Sequence, residues 1–196
     1  MDQMKKAFIV NAHLKYPFSA GRLNTSLIER AAAHFKAKGY EVVTTIAEDG
    51  YDVAAELEKF KSANVFLLQM PLNWMGVPWS FKKYIDDVWT AGMMGELSAG
   101  DGRSQEAPKK NYGLGGKLTG RYMLSVTANV PKEAFNDPEQ QFFAGRGEDD
   151  LLLPMHLNFK WLGLEKVPTF LAYDVMKNPE IDSDFARFDA HLAAHF

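Results

Sequence analysis

Short unbroken apolar runs alternate along this chain with longer stretches in which apolar residues recur every three or four positions. The first pattern marks strands buried on both faces, the second amphipathic helices. Residues 7–11, "AFIVN", form the first predicted strand. "LNTSLIERAAAHFKAKG" then sets Leu27, Ala31, Phe35 and Lys38 on helical spacing and stops at Gly39, a C-terminal signal. The β-branched "YEVVTTI" predicts a second strand over 40–46, "DVAAELEKFKSA" a helix with Val53, Leu57 and Phe60 along one face, and "NVFLLQM" a third strand over 64–70. A helix follows over 80–92, with Phe81, Tyr84, Ile85 and Val88 at helical spacing, and a fourth strand over 120–128. Residues 151–163 read as a helix, 165–175 as a fifth strand and 185–196 as a closing helix.

This alternation predicts an α/β domain spanning 1–196, with a parallel five-stranded sheet between layers of helices. The leading strand order is 2-1-3-4-5, the flavodoxin-like arrangement, in which ligands sit beyond the carboxyl ends of the strands where the winding reverses. Between the third helix and fourth strand, about residues 90–120 form a Gly-rich polar insertion, much longer than most connections in a compact domain.

Three loops fall on that carboxyl edge. The first, "AHLKYPFSAGRLNTS", gathers Ser19, Gly21, Asn24, Thr25 and Ser26 around a helix start, where free backbone N–H groups and hydroxyl or amide donors suit a phosphate. Helix capping by Ser19 or Asn24 is the plainer alternative. The second, "PLNWMGVPW", places Trp74 and Met75 between prolines, as an apolar wall for a flat ring, as a lid on the core or as part of a dimer contact. The third is "TANVP", residues 127–131. Neither GxxxxGK[ST] nor a GxGxxG after the first strand is present, and Asn11, Ala12 and His13 stand where a receiver domain would carry clustered acids.

Composition narrows the chemistry. The 196 residues contain no cysteine, so disulfides, thiolate metal sites and catalytic thiols are excluded and redox chemistry must come from a bound cofactor. A net charge of -3 without a basic patch argues against nucleic acid. The N-terminus predicts neither a signal peptide nor a membrane span, which makes the cytoplasm the default location. His191 and His195 have metal-compatible spacing but no third ligand in view, so no metal is expected.

At "QMPLNWMGVPWSFKKYIDDV", joined to "SAGRLN" upstream and to "YMLSVTANVPKEAF" and "QFF" downstream, the chain resembles the NADPH:quinone oxidoreductases of the modulator of drug activity B type. They belong to the flavodoxin-like NAD(P)H dehydrogenase (quinone) family, and the match continues through "DDLLLPMHLNFKWLGLEKVPTFLAYDV". The resemblance implies a homodimeric flavoprotein that holds FAD in preference to FMN and passes a hydride from NADPH to a quinone by a ping-pong route. The implied cofactor contacts are Ser19, Gly21, Arg22, Leu23, Asn24, Thr25 and Ser26, then Pro71, Leu72, Asn73 and Trp74, then Tyr112, and finally Thr127, Ala128, Asn129 and Val130. Backbone N–H groups of Leu72 to Trp74 are expected against the flavin edge, and Tyr112 and His13 are the proton-handling candidates. Similar proteins carry a glycine and two tryptophans after the first proline, and a tryptophan in place of Ala128, so substrate preference is expected to differ. Nitroaromatic, azo or metal-oxyanion reduction on the same flavin is the rival activity, and a flavodoxin-like electron carrier or binding module the rival class.

Overall fold

The computed structural model describes residues 4–196. The reading of the N-terminus as neither leader nor span falls partly outside them. In chain order the elements are β1 (Lys6–Asn11), α1 (Arg22–Ala37), β2 (Glu41–Ile46), α2 (Val53–Ser62), β3 (Val65–Pro71), α3 (Trp79–Tyr84), a π-helical turn (Ile85–Trp89) and α4 (Thr90–Gly92). There follow β4 (Arg121–Thr127), α5 (Glu148–Leu151), α6 (Leu153–Trp161), β5 (Glu165–Lys166), β6 (Phe170–Ala172) and α7 (Ile181–His195).

Every pairing in the sheet is parallel, in the order β2-β1-β3-β4-β5 with β6 also on β4. The expected order is therefore present, but the expected fifth strand over 165–175 is two short ones. Val167 still donates to the Tyr122 carbonyl at 2.8 Å; Pro168, which has no N–H, then breaks the ladder, and pairing resumes where Phe170 meets Ser125. The helices expected at 151 and 185 begin earlier. Asp150 accepts from the Gly147 N–H at 2.9 Å and so starts α5 at Glu148, while α7 begins at Ile181.

Period-two alternation divides the core. Phe8, Val10, Phe66, Leu68 and Leu124 pack with α2, α3 and α6 through Leu57, Phe60, Tyr84 and Phe159. Ala7, Ile9, Val65, Leu67 and Met123 pack with α1 and α7 through Leu27, Ala31, Phe35, Phe188 and Leu192. The long 93–120 connection is anchored rather than loose. Leu97 and Ser98 are fully buried, and Lys117 and Leu118 donate to the carbonyls of Leu97 and Leu162.

One buried carboxylate ties three elements together. Glu56 on α2 accepts from Thr45 of β2 at 2.9 Å, from Lys59 at 2.6 Å and from the Tyr84 hydroxyl at 2.6 Å. Burial, reinforced by this carboxylate, pushes the Tyr84 phenol far above its ordinary range. Removing the carboxylate strands a lysine and a phenol, so Glu56→Ala should lower the unfolding free energy by about 3 kcal/mol. Urea denaturation checks this, and a loss near zero would show that the cluster does not hold α2 to the sheet.

Candidate functional site

The loops after β1, β3 and β4 meet at the carboxyl edge of the sheet and enclose a cleft of about 520 Å³. Two of its walls are tight turns. Tyr16 and Ser19 exchange two backbone hydrogen bonds of 2.9 Å, which turns Phe18 outward at 74% exposure, with its ring stacked 5.3 Å from that of Tyr16. Asn73 and Gly76 exchange two of 3.0 Å, and the residues between them, Trp74 and Met75, have φ of 47° and 64°. Both lie in the left-handed region that asparagine and glycine occupy with least strain in such turns. Trp74 is 99% exposed, so its indole does not cover the core, whereas Leu72 and Val77 of the same loop pack against it.

The helix start answers the capping question. Gly21, at φ 77°, is the N-cap of α1 and no side chain caps the helix. Thr25 is the first amide to bond back, to the Gly21 carbonyl at 3.0 Å, which leaves the N–H groups of Arg22, Leu23 and Asn24 without partners in the helix. All three residues line the cleft. Ser19 is instead 3.2 Å from His13 Nε2, and Asn24 Oδ1 accepts from Gln69 Nε2 at 2.9 Å and from Thr127 Oγ1 at 3.4 Å. With the dipole of a 16-residue helix behind them, these free donors make a cradle chemically suited to an anion.

His13 is packed into this cradle. A Cβ on Gly21 would lie 2.4 Å from His13 Nδ1, so only glycine leaves room for the ring. Burial holds the His13 pKa below its ordinary value; Glu48 pulls upward and Lys15 downward, both more weakly.

Of the residues expected from the sequence, His13, Ser19, Gly21, Arg22, Leu23, Asn24, Pro71, Leu72, Asn73, Trp74, Thr127 and Asn129 line the one cleft. Thr25 and Ser26 lie farther along α1, outside the lining. Ala128 is buried, its N–H donated to the Ala172 carbonyl, and Val130 packs on the core beside Asp174. Tyr112 does not reach the cleft. Its ring packs 5.3 Å from that of Trp161, near the amino end of β4, because the connection folds back there through Gly116 and Leu118. Of the three amides expected against a flavin edge, that of Leu72 is already donated to the Thr127 carbonyl at the end of β4 and that of Asn73 to Gly76 within the tight turn, which leaves that of Trp74. The sequence reading missed Tyr16, Phe18, Val175, Met176 and Ile181 in the lining. The aromatic–proline run "YPF" is a local signal for the first two; the others lie more than a hundred residues from the cradle and carry none.

The family model Flavodoxin_2, described as a flavodoxin-like fold, matches residues 5–196. The chain belongs to the Flavodoxin_2 family. It is 44% identical over 179 residues to the NADPH:quinone oxidoreductase MdaB of Haemophilus influenzae, covering 91% of this chain and 92% of that protein. Among solved structures it superposes on an NAD(P)H:quinone oxidoreductase from Methanothermobacter marburgensis with a TM-score of 0.66 at 14% identity, covering 99% of each chain. An FMN-dependent NADH-azoreductase from Bacillus anthracis, solved in complex with FMN, superposes with a TM-score of 0.65 at 14% identity, over 97% of this chain and 99% of that one. At 14% identity these two show the fold alone.

Two outcomes follow from this geometry. The unfolded chain takes up a proton at His13 near pH 6.5, whereas the folded site does so only at lower pH; the His13 contribution to stability is thus present above about 6.5 and lost as pH falls through that value toward the folded pKa. A ring NMR titration should show His13 still mostly neutral at pH 6.5. Replacing Trp74 and Met75 by Asn and Gly relieves two positive-φ residues and should stabilise the protein by about 1 kcal/mol, readable as a rise in thermal midpoint; a fall would mean that the turn is held by contacts of Trp74.

Proposed function

We propose that the protein is a flavin-dependent NADPH:quinone oxidoreductase that holds FAD and acts as a homodimer. The observation that carries this reading is the near end-to-end 44% identity to MdaB, within which Pro71 to Trp74 form a wall of the cleft. The residues present fit a flavin nucleotide. Three free N–H groups, the Arg22 guanidinium, the Ser19 hydroxyl and the Asn24 amide suit the phosphates, and the missing Cβ of Gly21 keeps the cradle open beside His13. Leu72 and the exposed indole of Trp74 offer apolar surface to a flat ring. Phe18, Val175, Met176 and Ile181, lining the same cleft, give an adenine ring somewhere to rest, which favours FAD over FMN.

When bound, the flavin accepts a hydride from NADPH and delivers it to a quinone. The protein's part is to bind and orient. Neutral His13 holds the Ser19 hydroxyl in place beside the phosphate cradle. Trp74 presents a free face against which nicotinamide and quinone, both flat, can be accepted in turn. Its uncommitted N–H is the loop donor that would be left for the flavin edge. Tyr112, 68% exposed and remote from the cleft of its own chain, reaches a flavin only from a second copy, in keeping with the homodimer. Among the described residues no helix is long and apolar enough to cross a membrane, and a cytoplasmic location accompanies the reading.

Purified protein should be yellow, release FAD identifiable by mass, and oxidise NADPH when menadione is added. A colourless protein that neither takes up flavin nor consumes NADPH overturns the proposal. Trp74→Ala should leave the melting of the flavin-free protein unchanged, because the indole is fully exposed, while flavin retention or quinone turnover falls about 3- to 10-fold, the equivalent of roughly 0.5–1.5 kcal/mol of stacking.

A further inference from the structure

We infer that Gln69, which does not line the cleft, is a positioning residue that fixes the Asn24 amide so that its NH2 group faces the phosphate cradle; the inference rests on the flavin reading above. Gln69 lies on β3, in register with Asn11 of β1 and Ser125 of β4, and is 0% exposed. Its side chain continues the face that Val65 and Leu67 present to α1, so an apolar residue there would extend the core. Instead Gln69 Nε2 donates to Asn24 Oδ1 at 2.9 Å, and Thr127 Oγ1 donates to the same oxygen at 3.4 Å.

An asparagine amide has one oxygen that accepts and one NH2 that donates, and a bond made at one end decides where the other points. With its oxygen engaged twice from the sheet, Asn24 has its NH2 end left for the cleft that it lines. That is the orientation an anionic ligand needs; the reverse would aim an oxygen lone pair at phosphate. The arrangement also joins the three loops of the site, since Asn24 stands at the start of α1, Gln69 just ahead of the β3 loop and Thr127 at the end of β4.

The stability argument points the same way. Gln69 Oε1 is buried with no hydrogen-bond partner among the described residues, as is Ser125 Oγ on the paired strand. The desolvation cost of that unpartnered oxygen is set against the bond that Gln69 Nε2 makes to Asn24 Oδ1, which an apolar residue at position 69 would leave with the Thr127 bond alone. Gln69 is therefore poorly explained as a stabiliser and well explained as an orienter of Asn24.

The test is a double-mutant cycle read as the dissociation constant of FAD, and separately of FMN, from flavin fluorescence quenching on reconstituted protein. Gln69→Leu should weaken FAD binding about 10-fold without lowering the flavin-free melting temperature, and kcat at saturating FAD should change less than twofold. In an Asn24→Ala background the same substitution should add less than a further twofold, because the effect runs through Asn24. Thr127→Val, which removes the longer bond, should weaken binding by about two- to threefold and keeps the inference testable if Gln69→Leu fails to fold. Unchanged affinity in Gln69→Leu, or losses that multiply in the double variant, overturns the inference while leaving the functional reading intact. Wild-type protein that binds neither flavin overturns the functional reading, and this inference falls with it.

Discussion

The structure depends on the burial of β3 on both faces. From Val65 to Met70 every residue is buried, and the strand pairs along its length with β1 on one side and β4 on the other. A central parallel strand has no solvent-facing side on which to place chemistry, so polar groups and ligand contacts are displaced to the loops at its end. That constraint sets where the cleft is. The chain leaves β3 at Pro71 between two neighbours whose own loops leave at the same edge, and a 2.8 Å bond from the Leu72 N–H to the Thr127 carbonyl locks two of those loops together.

Around that edge the chain departs from its own local rules. A 16-residue helix begins without a side-chain cap, a tryptophan and a methionine occupy turn positions suited to asparagine and glycine, and a glutamine sits where the core calls for an apolar residue. By contrast Asp52 caps α2 by accepting from the Ala55 N–H, and Gly39 follows the end of α1 at φ 80°, although α7 also begins without a side-chain cap and Ala144 has φ 51°. Departures of this kind cluster where binding, not stability, decides which residue is present. Here all three fall within one cleft and the amide network beneath it.

Legibility in the sequence followed the range of the interactions. The elements and all three cleft loops could be read from periodicity and turn chemistry within a dozen residues, and the strand order from the few arrangements that right-handed crossovers leave. The break in the last strand has a local cause in Pro168, which lies inside the expected 165–175 strand just ahead of the apolar "FLAY" run. The contribution of Val175, Met176 and Ile181 to the cleft had no local signal, and neither did the return of Tyr112 to Trp161.

By itself the sequence determined the alternation of elements, the absence of thiol chemistry and the edge at which a ligand would sit, since these follow from composition and from the two periods of the backbone. Only the tertiary structure decided which donors at that edge are free. Whether an amide or hydroxyl is available to a ligand depends on what has already claimed it. Ser19 is held by His13, Asn24 by Gln69 and Thr127, and the amides of Leu72 and Asn73 by Thr127 and Gly76. Apart from His13, six residues from Ser19 in the same loop, and the turn closed by Asn73 and Gly76, those partners come from other loops and strands, up to about a hundred residues away, and meet only when the sheet forms.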